Sequence, residues 1–232
     1  MRQTALISGA GRGIGRAIAQ QLAAGGYHVF LLGRDGEALA SVAAACIAQA
    51  GAADFLVGDL CHVHDIAAAL DAAHARLGHI DVLINNAGTA ARGTVQDADL
   101  DGWRAVLDLN LWAAIALTRG VVPAMIERRR GAIINISSIS ARHSAGNDAI
   151  YAASKHALNG FTASLFEDVR EFGIKVSSIM PGFVETALTA QLGKRDTRMI
   201  SPQDVATCVD FVLASSPRCC PTEIVIRPQR AP

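Results

Sequence analysis

Short apolar runs rich in β-branched residues alternate along the chain with stretches of helical period. The runs fall at 4–8, 28–32, 54–57, 82–85, 132–137, 175–180 and 223–227, and they predict strands. The stretches between them, near 13–25, 36–50, 64–77, 100–129, 150–172 and 202–214, predict helices. A strand that is apolar along its whole length is buried on both faces, as in a parallel sheet. Repeated strand–helix alternation then predicts an α/β fold, a doubly wound sheet of about seven strands with helices on both faces and right-handed crossovers. No composition shift or low-complexity linker divides residues 1–232, so one domain is expected. The last helix carries its own start signal, with Ser201 as N-cap, Pro202 in the first turn and Asp204 three residues after the cap.

The first strand runs into a glycine turn, SGAGRGIG at 8–15, and then directly into a helix. Strand, glycine turn and helix together suit a dinucleotide pyrophosphate on a helix N-terminus. Glycine allows the tight turn and lets backbone approach phosphate. The strict G-x-G-x-x-G spacing is absent; the fit is Gly9-x-x-x-Gly13-x-Gly15, with Ile14 where a third glycine would fall.

Farther along, Tyr151 and Lys155 stand four residues apart in YAASKHALNGF, with Ser138 upstream in INISSIS. Positions i and i+4 share a helix face, so phenol and ammonium project together. A phenol of pKa near 10 is a poor acid or base at neutral pH, and a fixed positive charge nearby lowers that pKa. Alone, Tyr-x-x-x-Lys is an ordinary surface-helix spacing.

These motifs, in order, resemble the short-chain dehydrogenase/reductase family, and in particular its 3-oxoacyl-reductase-like members. The series is SGAGRGIG at 8–15, GDL at 58–60, NNAG at 85–88, Asn110, Ser138, Tyr151 with Lys155, and PGFVET at 181–186. It spans nearly the whole chain, and Ser8 replaces the usual Thr while keeping the hydroxyl. The resemblance implies a Rossmann-type fold and an NAD(P)-dependent oxidoreductase that interconverts a carbonyl and a secondary alcohol of a small molecule. It also implies the roles. Tyr151 is the general acid/base, Lys155 bonds the nicotinamide ribose and lowers the Tyr151 pKa, and Ser138 polarises the substrate oxygen. Asn110 holds a water that links Lys155 to solvent. For the cofactor, the resemblance implies Gly9, Arg12, Gly13, Ile14 and Gly15 at the phosphates, and Asp59 with Leu60 at the adenine. Asn86, Ala87 and Gly88 border the adenosine ribose, and Pro181, Gly182, Val184 and Thr186 flank the nicotinamide. The family assembles as homo-oligomers, so a dimer or tetramer is expected. The alternative is a non-catalytic NADP-binding sensor or partner subunit, and the intact Ser–Tyr–Lys–Asn set argues against it.

Cofactor choice turns on the end of the second strand. An acidic residue there bonds the ribose 2′-hydroxyl in folds that prefer NAD. In VFLLGRD that position is Gly33, followed by Arg34, with Arg12 in the glycine turn. Two guanidiniums near one phosphate favour NADP, because arginine grips phosphate as a fork. Asp35 complicates this, since it would repel a 2′-phosphate or bond a 2′-hydroxyl.

Composition narrows the remaining classes. Lys plus Arg and Asp plus Glu number 21 each, for a net charge of zero, so no global basic field argues for nucleic acid. Five cysteines without C-x-x-C spacing argue against a zinc site or disulfide framework and for reduced thiols in the cytoplasm. No uninterrupted apolar run reaches the length that spans a bilayer, and the chain enters its first strand without a signal peptide, so no membrane is expected. Metal ligation is not expected either.

Substrate identity is not written in these motifs. Segments 89–95, 140–149 and 187–200 are expected to line the pocket, with Arg92, Arg142, His143, Lys194, Arg195 and Arg198 among them. Residues 191–198, QLGKRDTR, with Gly193 as a hinge, are expected to form a lid whose basic residues steer an anionic substrate. The ending PTEIVIRPQRAP lacks the glycine-rich tail of many relatives, which puts that tail's usual inter-subunit contacts in doubt.

Overall fold

A computed structural model describes residues 2–49, 51–191 and 198–230. Seven strands form one sheet in the order β3-β2-β1-β4-β5-β6-β7, and every pairing is parallel. The strands are β1 (Thr4–Ser8), β2 (His28–Gly33), β3 (Ala52–Val57), β4 (Val82–Asn85), β5 (Gly131–Ile136), β6 (Ile174–Pro181) and β7 (Glu223–Ile226). Strand order reverses beside β1, where β1 lies between β2 and β4. This is the point at which doubly wound sheets open a crevice at the strands' carboxyl ends.

Alternation along the strands builds two cores. Ala5 and Ile7 face the helices α1 (Gly13–Ala24), α2 (Gly36–Ala48) and α8 (Pro202–Ala214). Leu6 faces the other way, toward α3 (Val63–Leu77), α5 (Ala113–Arg128) and α6 (Ala149–Val169). Buried on both faces, the central strands carry apolar residues at successive positions. The expected capping box opens α8: Ser201 Oγ accepts from Asp204 N at 3.2 Å, and Asp204 Oδ2 accepts from Ser201 N at 2.8 Å.

The long helix expected at 100–129 is interrupted. It runs as α4 (Leu100–Leu107), a π turn over Asp108–Trp112, and α5. By length and composition this helix is apolar enough to cross a membrane. Here it lies against the sheet with Leu117, Val121 and Met125 in the core. A short helix, α7 (Ala187–Gln191), follows the PGFVET turn and was not expected from the sequence.

Two polar clusters tie the layers together. At the carboxyl edge, Asn85 Nδ2 donates to Asn135 Oδ1 at 2.8 Å and to Thr118 Oγ1 at 3.2 Å. Asn135 Nδ2 donates to Thr162 Oγ1 at 2.7 Å, which fixes α6 over β5. At the opposite edge, buried Asp81 accepts from Thr4 N at 3.1 Å and meets His79 Nε2 at 3.2 Å and Arg128 Nη2 at 3.7 Å. Removing that carboxylate leaves the buried Thr4 N–H without its acceptor and takes the anion away from Arg128, which keeps its bond to Ile80 O. Asp81→Ala should therefore cost about 2–3 kcal/mol of stability, read from denaturant midpoints, with turnover per folded molecule unchanged.

Candidate active site

The glycine turn and the NNAG turn are locked to each other. Ser8 Oγ accepts from the backbone N–H groups of Asn86 and Ala87, both at 3.0 Å. Asn86 Nδ2 donates back to Ser8 O at 3.0 Å and Gly9 O at 3.1 Å. Ser8 thus uses the hydroxyl it shares with Thr. Gly9 sits at φ 65 and Gly13 at φ 54, in the left-handed region that disfavours side chains. A Cβ on Gly15 would lie 2.3 Å from Gly9 O, so the close turn requires glycine there as well. Arg12 and Ile14 complete the wall of this turn.

Two cavities meet over it. One, of about 330 Å³, extends over Gly9, Arg12, Arg34, Asp59 and Leu60. The other, of about 180 Å³, continues past Gly88 to Ile136, Tyr151, Lys155 and Thr186. Gly9, Arg12, Arg34 and Gly88 border both, so the two form one cleft along the sheet's carboxyl edge. Its length, glycine floor and flanking guanidiniums fit a dinucleotide.

At the first end, Arg34 is exposed and reaches Asp59 Oδ2 at 3.7 Å. The N–H of Cys61 bonds the Asp59 carboxylate and, with Arg34 nearby, holds its pKa below the usual value. Asp35 is the N-cap of α2, and its Oδ1 accepts from Ala38 N at 3.0 Å. The carboxylate caps the helix it starts and still borders the cavity beside Arg34.

At the other end, Tyr151 and Lys155 share one face of α6, as the spacing predicts, and Lys155 Nζ lies 5.8 Å from the Tyr151 ring centre. The Ser138 side chain lies close enough to the Tyr151 phenol to favour its ionised form. Ser138 is 8% exposed, and its Oγ accepts from Ser140 N at 3.1 Å. Lys155 is 4% exposed and donates to Ile136 O at 2.9 Å. Burial lowers its pKa from 10.5 to about 8.

Within the protein alone burial raises the Tyr151 pKa, with the Ser138 side chain opposing and the Asp148 charge adding. A lysine that is itself costly to charge in this pocket cannot supply a full fixed cation at no cost.

Asn110 does not touch Lys155 directly. It sits at the centre of the π turn, where the widened helix turns its amide inward. Its Oδ1 accepts from Thr89 N at 2.8 Å, and its Nδ2 donates to Thr89 O at 2.9 Å and to Ser154 Oγ at 3.0 Å. Gly88 lies between the two, since a Cβ there would be 3.2 Å from Asn110 Oδ1 and 3.7 Å from Lys155 Nζ. Asn110 therefore pins the post-NNAG loop to α6.

In the PGFVET turn, Thr186 reaches the cleft with Ala187 and Leu188. Gly182 and Val184 lie behind it. Gly182 N donates to Ile226 O at 2.8 Å, and Val184 bridges Ile200. Pro181 closes β6. Of the basic residues expected at the pocket, Arg142 is paired with Glu223 on β7, and His143 is exposed. Lys194 and Arg195, and with them most of the expected lid at 191–198, lie outside the described residues. Ser140 and Asp148 lie in the 140–149 segment expected at the pocket, though without a role there, and Ser154 was not singled out.

Residues 3–197 match the family described as short chain dehydrogenase. The chain belongs to the short-chain dehydrogenase/reductase family. It is 32% identical over 226 residues to an uncharacterized oxidoreductase of Staphylococcus aureus (strain USA300), covering 97% of each chain. Among solved structures it resembles a metagenomic short-chain oxidoreductase in complex with NADP, with a TM-score of 0.88, 35% identity, and coverage of 99% and 98% of the two chains. It also resembles a variant actinorhodin polyketide ketoreductase with NADPH, with a TM-score of 0.91, 29% identity, and coverage of 98% and 96%. Family membership makes this short-chain dehydrogenase/reductase an oxidoreductase of Rossmann-type fold.

The buried lysine has a stability consequence in this family member. Unfolded, Lys155 takes its proton at 10.5; folded, at about 8. Between those values the unfolded chain binds more protons, so stability rises with pH across the window. Below it, the charged site costs on the order of 3 kcal/mol. Lys155→Met should thus be more stable than wild type near neutral pH, and the gap should close toward about pH 10. Paired denaturant melts at the two pH values check this.

Proposed function

We propose that this chain is an NADP-linked reductase and dehydrogenase for a small carbonyl compound and its secondary alcohol, with Tyr151 as general acid/base. The observation that carries the proposal is the Ser138–Tyr151 hydroxyl pair beside buried Lys155, opening on a cleft continuous with the glycine turn. NADP, when bound, supplies the hydride acceptor or donor. Gly9, Gly13 and Gly15 would hold its phosphates, and Lys155 its nicotinamide ribose. Ser138 orients the substrate oxygen. Tyr151 gives a proton to that oxygen during reduction and takes it back during oxidation. Thr186 would hold the nicotinamide amide, and Asn110 the loop beneath it.

NADP rather than NAD is favoured by Gly33 in place of an acid, by Arg34 and Arg12 along the cleft, and by the capping bond that occupies Asp35. The NADP and NADPH named with the two solved relatives agree with this. We further infer a homo-oligomer, consistent with exposed Trp112 and Phe211 on the outer helices, working in the cytoplasm with free thiols. Native mass measurement tests the assembly.

NADPH oxidation against a panel of ketones, 3-oxoesters, diketones and quinones tests the activity. Silence across the panel, with NADP bound, would favour the sensor alternative. Tyr151→Phe should keep fold and NADP binding and lose about 10²–10⁴-fold in kcat. If more than about a tenth of activity remained, Tyr151 would not be the acid.

Wild type should show higher kcat/KM with NADPH than with NADH. Arg34→Ala should cut that preference about tenfold or more, the worth of one charge-assisted contact. Equal use of both cofactors by wild type would sink the preference.

A further inference from the structure

A second string of polar groups closes on the same phenol. Asp148 is the N-cap residue of α6, three positions before Tyr151. N-cap carboxylates ordinarily accept from the first free N–H groups of their helix. Asp148 makes no such bond. Instead its Oδ2 accepts from Ser140 Oγ at 3.4 Å. Ser140 N in turn donates to Ser138 Oγ at 3.1 Å, and the Ser138 side chain lies beside the Tyr151 phenol. The circuit runs Tyr151, Ser138, Ser140, Asp148 and back through one turn of helix.

A neighbouring loop approaches the start of α6 from the other side. Gly93 N donates to Asn147 O at 3.2 Å, and Asn147 adopts φ 61, a left-handed backbone that turns the chain into α6. This join brings the exposed Arg92 into electrostatic contact with Asp148.

We propose that Asp148 is a positioning residue for the reaction. Held toward Ser138 by Ser140, its negative charge keeps the proton on the Tyr151 phenol, and Arg92 sets how much of that charge the phenol feels. The inference rests on the acid–base role proposed above for Tyr151.

The charged groups around the pair are few among the described residues. Lys155 faces Tyr151 from α6, Asp148 faces it from the helix start, and Arg92 faces Asp148 from the 89–95 loop. Arg142, close in sequence, is engaged by Glu223. A carboxylate near a phenol disfavours the phenolate, in line with the direction in which Asp148 moves Tyr151. Reduction needs the protonated phenol to give its proton to the carbonyl oxygen. Oxidation needs the phenolate to take the alcohol proton. Asp148 therefore moves the falling limb of reduction and the rising limb of oxidation to higher pH together.

The sequence makes the test direct, because the chain has 2 tyrosines. With Tyr27→Phe as background, Tyr151 is the sole phenol, and its ionisation is followed by tyrosinate ultraviolet absorbance. Asp148→Asn keeps the shape and an oxygen to accept from Ser140 while removing the charge. It should lower the phenol titration by about half a unit to one unit, and both pH limbs of kcat/KM should move the same way. Arg92→Ala should raise the titration. Asp148→Ser, a favoured N-cap residue, is the second variant should the first fold poorly, with the same direction expected. A fall smaller than about 0.2 unit in the folded variant, or a rise, overturns the proposal. The absorbance titration does not depend on turnover. If the phenol shifts but wild type reduces no carbonyl compound, the charge coupling stands and the acid–base reading of Tyr151 falls instead.

Discussion

The rest of the site depends on burying one ammonium. Lys155 lies under the carboxyl edge of the sheet, and among the described residues no carboxylate stands within salt-bridge distance of it. Its hydrogen bond goes to the Ile136 carbonyl at the end of β5. An unpaired buried charge is expensive, and proteins usually answer by shifting the pKa toward neutrality. That answer is visible here in the drop to about 8. A lysine poised near working pH serves a phenol better than a permanently neutral one would. A ribose hydroxyl beside it would supply acceptor oxygens, so cofactor binding and charging of Lys155 favour each other. Stability given up at this residue is thus stability held in reserve for the bound state.

Holding such a residue in place requires a rigid surround, and polar bonds between loops provide it. The Ser8 hydroxyl and the Asn86 amide join the first and fourth strand ends. The Asn85–Asn135–Thr162 chain joins the fourth and fifth strands to α6. Asn110, turned inward by its π turn, joins the loop after NNAG to α6 through Ser154. Each link matches buried donors that would be costly unpaired, with Asn85 Oδ1 left without a partner, and the bonds restrict how far one wall of the cleft can move against another.

Much of this was legible in the sequence, for identifiable reasons. Apolar, β-branched runs placed all seven strands to within two residues of their observed starts, with β3 starting at Ala52 rather than 54. Motif spacing placed Tyr151 and Lys155 on one cavity, with Ser138 beside Tyr151. What escaped depended on three-dimensional context. A π turn leaves the helical period almost unchanged, so 100–129 read as one helix. Asp35 carried two chemistries on paper, and its bond to the Ala38 N–H, which caps α2, was a third. The sign of the Tyr151 shift depended on burial and on Asp148, which lies beyond any pairwise Tyr–Lys rule.

A chain with equal numbers of acidic and basic residues sets both signs along its cleft. Arg12 and Arg34 border it at one end and Lys155 at the other, while Asp59 is drawn to Arg34 and the Cys61 N–H. Asp35 is drawn to its helix. Acidic groups near the cleft are thus engaged by donors of their own, and the cations keep donors in reserve for an anionic ligand. Exposed charges more than about 10 Å away are screened at ordinary salt, so it is this local arrangement that an incoming dinucleotide meets. Net charge bears on solubility, whereas pairing within the cleft decides which sign of ligand it receives.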